Sequence, residues 1–480
     1  MKKAKILATL GPASREQSVI EELIRAGANG VRINMSHGTQ EEKTQDIKNA
    51  RAAAKTLNRP LAILVDLSGP KIRTRQLKDG QPVMLKAGDQ FVLTTLDVVG
   101  DETRVATNYP DLAHVVQPGT RLLLDDGAIA LTVESTTKTD VVCRVINGGV
   151  LGERKGINLP GVPLPIDSLT QKDIADLKWA VEQNVDYIAL SFVRRAEDCS
   201  RAKDLIREAG GRAPLVAKIE KAEAIDHLDE IIAATDAVMV ARGDLGVETS
   251  VEEVPVYQKR IIEKAVAAGK MVITATQMLQ SMVTSPRPTR AEASDVANAV
   301  WDGSDSLMLS NETASGLYPV AAVETMCRII ESAEAGKGPD TDQIQKWAGR
   351  QSGRVSRALC EAAAFAAEEM GTNVTVVLTE SGLMARRLSA LRPSQRIIAL
   401  TNSAEVQNEL ALIWAVDSLI VPQAETTEDA LKFGEEALLE SGNVQKGEMI
   451  VIMAGRLSGL GLSSSVTLFT VGGTLGPTGS

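Results

Sequence analysis

The sequence predicts an α/β protein: a (β/α)8 barrel with a small β-barrel inserted as a lid at its mouth and a C-terminal five-stranded α/β domain. Three observations carry this. Short β-branched apolar runs alternate with helix-period segments eight times across residues 5–67 and 168–335. A glycine-punctuated stretch without helical periodicity interrupts that rhythm at 68–167, and alternation resumes after residue 340. The domains are accordingly drawn as 1–67 with 168–337 for the barrel, 68–167 for the insertion and 340–480 for the last domain.

The eight runs are Lys5 to Leu10, Gly30 to Ser36, Leu61 to Leu67, Tyr187 to Phe192, Leu215 to Glu220, Ala237 to Gly243, Met271 to Gln277 and Ser306 to Ser310. Amphipathic stretches such as Glu16 to Ala26, Glu41 to Leu57, Asp173 to Gln183 and Val254 to Ala268 separate them. An open, doubly wound sheet is the alternative arrangement of the same elements. In the insertion, Val/Leu/Thr runs are broken at Gly80, Gly88, Gly100, Pro118-Gly119, Asp126-Gly127 and Gly148-Gly149. A loop of that length without a fold of its own is improbable, so these runs read as a small barrel without a good helix. Beyond a Gly336-Lys337-Gly338-Pro339 hinge, strands are expected near Val374 to Leu378, Ile397 to Leu400, Asp417 to Val421, Met449 to Met453 and Val466 to Thr470.

Composition excludes several classes. In 480 residues, 44% hydrophobic and 24% charged side chains exclude disorder and fibrous repeats, and 3% aromatics mean aliphatic cores. A formal charge of -10 offers nucleic acid or anionic lipid no attractive field, so any anionic ligand must be caught by local cations. Cys143, Cys199, Cys327 and Cys360 have neither disulfide-framework nor zinc spacing and read as inert thiols in a reducing cytoplasm. The short apolar run that ends at Gly11-Pro12 is too brief for a signal peptide, and no stretch is long enough to span a membrane.

Barrel chemistry sits at the C-terminal ends of the strands. Arg32, Asn34 and Ser36 share one face of the second run, followed by His37. Asp66 ends the third, Lys218 and Glu220 the fifth, Gly243-Asp244 the sixth, Thr276 the seventh, and Ser310 with Glu312 the eighth. Glu220 and Asp244, without a nearby histidine ligand, suit a hard cation such as Mg²⁺ completed by water and phosphate. Arg32, Arg73 and Lys218 are the local cations. Three histidines in the whole chain give little support to Ser-His or Cys-His schemes. Metal plus cations over a barrel mouth points to phosphoryl or enolate chemistry.

These residues resemble a known family. Arg32-Ile-Asn-Met-Ser-His-Gly, Asp66-Leu-Ser-Gly-Pro-Lys-Ile-Arg73, Lys218-Ile-Glu220, Met239 to Glu248, Thr274 to Met282 and Leu309 to Ala314 are similar, in order, to the motifs of the pyruvate kinases. The resemblance implies phosphoryl transfer from phosphoenolpyruvate to ADP and then protonation of the enolate. It implies Mg²⁺ (or Mn²⁺) on Glu220 and Asp244, and Gly243 and Asp244 toward the substrate carboxylate. Lys218 would neutralise the reacting oxygens, and Arg32 and Arg73 would grip phosphate. Thr276 would work in the proton relay with Ser310 and Glu312, while Asn34, His37, Arg73 and Lys155 would face the nucleotide. Many members bind K⁺ at positions matching Asn34, Ser36, Asp66 and the backbone of Leu67. Here Ser68 and Lys71 replace the usual Lys and Glu, so the Lys71 ammonium is expected to supply that charge and K⁺ not to be required. The last domain resembles the family's effector domain, with Thr379, Glu380, Ser381 and Gly382 and the loop Gly455 to Ser465 as a phosphate cradle for a sugar phosphate or AMP. An ordinary capped helix start is the plainer account of 379–382. Family analogy alone implies a homotetramer. The rivals are a lyase that breaks a carbon-carbon bond through the same enolate, and a silent metabolite sensor.

Overall fold

The computed structural model describes residues 2–162, 164–336, 354–454 and 465–473. Eight parallel strands close into a barrel, each hydrogen-bonded to its sequence neighbours and the first to the eighth, which excludes the open sheet. They are Lys5–Thr9, Gly30–Asn34, Ala62–Asp66, Tyr187–Leu190, Leu215–Ile219, Ala237–Ala241, Met271–Ala275 and Ser306–Leu309. Alternate residues face opposite ways. Leu7, Leu64, Val216, Met239 and Ile273 belong to the interior core, and Ile63, Val65, Ile188 and Val238 pack under the surrounding helices. Burial on both faces is why these strands read as unbroken apolar runs. The helices start where capping boxes supply backbone partners, as Thr39 with Glu42 ahead of Gln40–Leu57 and Thr170 with Asp173 ahead of Gln171–Glu182.

The insertion forms a six-stranded sheet, ordered Ile157–Asn158, Arg121–Leu124, Ile129–Thr136, Asp140–Asn147, Gln90–Thr94 and Arg104–Ala106, beside a two-stranded ribbon of Val83–Leu85 and Gly149–Leu151. Its two outer strands are joined through residues 72–75. Ile157 donates to the Ile72 carbonyl at 2.8 Å and Thr74 to the Lys155 carbonyl at 2.8 Å, while Arg75 donates to the Ala106 carbonyl at 2.8 Å on the other side. Bridges Arg73↔Gly156 and Thr74↔Thr107 complete the ring around a core that includes Phe91, Leu93, Leu122 and Leu131. One short helix, Leu112–Val115, caps it.

The C-terminal sheet runs Val416–Ile420, Arg396–Thr401, Val374–Leu378, Met449–Ala454 and Ser465–Thr470, with only the last strand antiparallel to its neighbour. Its core is continuous with the barrel interior through Val377, Leu388, Leu410 and Leu412. Polar ties close the same seam: Lys5 Nζ lies 3.3 Å from Asp417, Arg392 Nη1 3.0 Å from Asp305 Oδ1, and the Tyr187 hydroxyl donates to the Glu409 carbonyl at 2.6 Å. The expected hinge is described only at Gly336; Lys337, Gly338 and Pro339 lie outside the described residues. All four cysteines are free, and burial pushes the Cys143, Cys199 and Cys360 thiols up to about 12. No helix among the described residues is long and apolar enough to cross a membrane.

At the barrel floor, Asp186 is 7% exposed and accepts the Ile63 N–H at 2.7 Å. Burial pushes its carboxyl up to about 7, with Glu409 and Glu405 adding to the rise against the Ile63 bond and Arg51. Between the ordinary aspartate value of about 4 and pH 7 the folded chain keeps a proton that the unfolded chain releases, so this group's contribution to stability falls as pH rises through that window. Asp186→Asn is therefore expected to flatten the decline in melting temperature from pH 4 to 7. A parent-minus-variant difference that stays constant with pH would show that Asp186 titrates normally.

Candidate active site

Each strand ends one or two residues before its apolar run does, because the chain turns sharply there. Phe192 has φ +58°, Thr276 φ +71° and Gln277 φ +54°, left-handed values that cost a non-glycine residue about 1–3 kcal/mol and persist only where the surroundings impose them. These turns swing the polar side chains out of the sheet and over the mouth, where a cleft of about 1350 Å³ separates the two barrels.

Register builds the deepest part of the site. Asn34 pairs with Asp66, and Ala189 with Asp66 on the other side, so the third strand delivers its carboxylate between the second and the fourth. Asp66 is 1% exposed. Its Oδ2 receives Arg32 Nε at 2.7 Å and Nη2 at 2.6 Å, and its Oδ1 lies 3.2 Å from Lys218 Nζ. Burial alone would raise the Asp66 pKa, but Lys218 and Arg32 outweigh it and hold the carboxyl below its usual value. Lys218 also donates to Ser191 Oγ at 2.6 Å and lies 3.4 Å from Glu220 Oε2. Burial works against its charge, yet Asp66 and Glu220 raise its pKa above the usual lysine value. Asp66 therefore stays ionised and Lys218 protonated through the neutral range.

Glu220 is 1% exposed and receives the Phe192 N–H on Oε1 at 2.6 Å, while Oε2 is buried without a hydrogen bond. Burial first, and then Asp244, push its pKa up against the opposing pull of Lys218. An oxygen with no hydrogen bond, held only by the Lys218 ammonium at 3.4 Å and beside a second acid, fits a hard cation. No cluster of three or more side chains that could hold a metal ion occurs among the described residues, so this pair of carboxylates is what the site has toward such an ion.

Thr276 Oγ1 accepts the Gly243 N–H at 2.7 Å, so that N–H faces the threonine hydroxyl rather than standing open. Arg242 fixes the same turn. It donates to the Thr276 carbonyl at 2.8 Å and the Ala275 carbonyl at 3.3 Å while paired with Asp295 at 2.7 Å. Ser310 lies in the cleft lining. Glu312 is fully buried, and its carboxylate receives the N–H groups of Ser310 at 2.7 Å and Leu279 at 3.1 Å, which makes it a positioning group for the seventh and eighth strand ends.

Lys71 departs from expectation. Its ammonium lies 3.2 Å from Asp244 Oδ1 and 3.5 Å from Asp126 of the insertion, and not on the set expected for K⁺. Three members of that set already have partners: Asn34 Oδ1 accepts the Ser36 N–H at 3.0 Å, Asp66 holds Arg32 and Lys218, and the Leu67 carbonyl accepts the Ser191 hydroxyl at 2.7 Å. Ser36 sits beside them, half-buried. Toward the insertion, Arg73 Nη1 reaches the Arg154 carbonyl at 3.2 Å, and Lys155 Nζ pairs with Asp125 at 2.9 Å. Partial burial, then Arg73, Lys43, Arg32 and Lys71, lower the His37 pKa, which locates a concentration of positive charge on this side of the mouth.

In the C-terminal domain, the Thr379 hydroxyl accepts the Gly382 N–H at 3.0 Å, and Gly382, at φ +73°, opens the helix Leu383–Ala390. That is the geometry of a capped turn. Ser381 is exposed and borders a cavity of about 580 Å³ against the barrel floor, with Glu380 half-buried beside it. The expected second loop lies outside the described residues except for Ser465.

Sequence reasoning overlooked Ser191 and Thr9, whose hydroxyl receives Arg32 Nη1 at 3.3 Å, and named Arg242 at the end of the sixth run without giving it a role. The strand-end rule applied to the first and fourth strands would have found Thr9 and Ser191. Arg242 carried no separate signal, since it sits inside the Arg-Gly-Asp run.

Two family models match the chain: the pyruvate kinase barrel domain over residues 1–323 and the pyruvate kinase alpha/beta domain over residues 357–466. Among similar proteins, pyruvate kinase 2 of Synechocystis sp. is 44% identical over 97% of this chain and 78% of its own length. The pyruvate kinase of Geobacillus stearothermophilus is 42% identical over 95% and 78%, and that of Clostridium acetobutylicum 39% identical over 95% and 96%.

Proposed function

Because the chain belongs to the pyruvate kinase family of phosphotransferases, whose chemistry uses a divalent metal, phosphoenolpyruvate and ADP, we propose that it transfers the phosphoryl group of phosphoenolpyruvate to ADP with Mg²⁺ and then protonates the enolate to pyruvate. The observation that carries this reading is the Lys218 ammonium set between Asp66 and Glu220, with Glu220 Oε2 held by that ion pair at 3.4 Å and by no hydrogen bond.

Glu220 and Asp244 would hold the metal, which supplies charge neutralisation on phosphoryl and enolate oxygens when bound. Lys218 faces the same oxygens with a permanent positive charge that needs no reorganisation as negative charge develops. Arg32 and Arg73 orient the phosphate, with His37 and Asn34 near the nucleotide phosphates. Thr276 holds a hydroxyl beside the substrate carboxylate and orders the water that delivers the proton, with Ser310 in line and Glu312 fixing both turns. Lys155, on the rim of the inserted barrel, would reach ADP as that barrel closes and expels water. Lys71 brings a fixed cation to Asp244 rather than to the K⁺ set, so catalysis without K⁺ is proposed on the Ser68 and Lys71 replacements alone. Thr379 to Gly382 remain the proposed phosphate cradle for an activating sugar phosphate or AMP, in a cytoplasmic homotetramer.

The test is a lactate-dehydrogenase-coupled assay with phosphoenolpyruvate, ADP and Mg²⁺ in tetramethylammonium buffer. Pyruvate formation that EDTA abolishes and K⁺ does not increase is the expected result. A rate that depends on added K⁺ removes the role given to Lys71. A protein inert with ADP that still binds phosphoenolpyruvate with Mg²⁺ removes the phosphoryl-transfer reading. At subsaturating phosphoenolpyruvate, a flat response to sugar phosphates and AMP removes the effector site.

A further inference from the structure

One buried carboxylate outside the residues placed above faces three separate parts of the fold. Glu248 closes the short helix Arg242–Glu248 and is 7% exposed. Its Oε1 accepts Asn158 Nδ2 at 2.9 Å and lies 2.8 Å from Lys221 Nζ. Asn158, itself buried, belongs to the last strand of the inserted barrel, the strand whose edge residues 72–75 close. Its Oδ1 finds no hydrogen bond among the described residues, so the bond to Glu248 is what fixes its side chain.

The other two limbs end at the metal-binding side. Lys221 directly follows Glu220, and its ammonium sits 5.5 Å from the centre of the Phe192 ring. Phe192 in turn gives its N–H to Glu220 at 2.6 Å. The third limb is Glu248's own helix. Its first turn carries Gly243, joined to Thr276 at 2.7 Å, and Asp244. A single oxygen thus joins the seat of the lid, the turn behind one acid and the helix behind the other. Glu248 and its two partners, Asn158 and Lys221, are largely withdrawn from water, where a hydrogen-bonded charge pair is strongly directional.

We propose that Glu248 is a positioning residue for the reaction, coupling the attitude of the inserted barrel on the nucleotide side to the placement of Glu220 and Asp244 on the metal side. The proposal rests on the phosphoryl-transfer reading above. It makes two variants act on different axes. Asn158→Ala cuts only the lid limb, so kcat/KM for ADP falls about tenfold, while Mn²⁺ binding to the protein without nucleotide stays within about twofold of the parent. Glu248→Gln keeps an acceptor for Asn158 but removes the charge facing Lys221, so Mn²⁺ affinity falls about tenfold and KM for ADP moves less than in Asn158→Ala.

Mn²⁺ affinity is read by titration and the kinetic constants by the coupled assay, with parent and variants side by side. Asn158→Ser stands in for Asn158→Ala should the latter not accumulate. A split along the two axes supports the coupling. Equal losses in kcat, in ADP affinity and in Mn²⁺ affinity, tracking a lower melting temperature, would mean a merely structural role and overturn it, as would two variants identical to the parent. A parent inert toward ADP overturns the reaction reading and this proposal with it, whereas an active parent with no split overturns the coupling alone.

Discussion

Lys218→Met is expected to lower turnover by roughly 10²- to 10³-fold, the usual loss when one preorganised charge is removed from a transition-state site. The coupled assay measures it. The same substitution leaves Asp66 and Glu220, each 1% exposed, with Arg32 as the remaining close cation, paired with Asp66 and not with Glu220. Breaking a buried charge pair typically costs about 3–5 kcal/mol, so the variant should also melt lower, and its activity has to be read well below that transition. Turnover within about tenfold of the parent would remove Lys218 from the chemistry and leave it a structural counter-ion for Asp66.

Glu220→Gln separates stability from function in the opposite sense. Glutamine keeps an acceptor for the Phe192 N–H, and Lys218 keeps Asp66, while a carboxylate whose pKa burial has already raised is replaced by a neutral amide. The variant should therefore melt higher than the parent in metal-free buffer. Mn²⁺ should bind at least about 10- to 100-fold more weakly, since even residues that only support a metal ligand cost that much when changed. A variant that melts lower, or that binds Mn²⁺ like the parent, would place the metal elsewhere. Either outcome is read by calorimetry and by Mn²⁺ titration without turnover.

The barrel was legible because burial on both faces writes its strands as apolar runs, and the strand-end rule then pointed to Arg32, Asp66, Lys218, Glu220, Asp244 and Thr276. The structure brings Arg32, Asp66, Lys218 and Glu220 into one connected network. The strand ends themselves were not legible. Phe192, Thr276 and Gln277 continue the side-chain pattern while their backbones have already turned left-handed, and no residue type announces that. Lys71 was misplaced for a related reason. Five positions after Asp66 it reads as serving the same cation set, but the turn at Gly69, φ +66°, and Pro70 carry it across the mouth to Asp244 and Asp126. Ring closure of the insertion was expected as a class and not as a mechanism, because residues 72–75 form only isolated bridges and carry too few apolar residues to read as a strand.

That ring closure bears on how the chain reaches its fold. The third and fourth strands of the large barrel must pair, Leu64 with Tyr187, across an interval of roughly 120 residues. Searching over so long an interval is slow, and its entropic penalty grows with the logarithm of its length. The bridge between Arg73 and Gly156 brings the two ends of the insertion together. Once the insertion has folded, the interval left to close shrinks to roughly 40 residues, a saving of about 1 kcal/mol in chain entropy. An insertion with adjacent ends thus acts as a splice: it removes itself from the search that its own length would otherwise have prolonged.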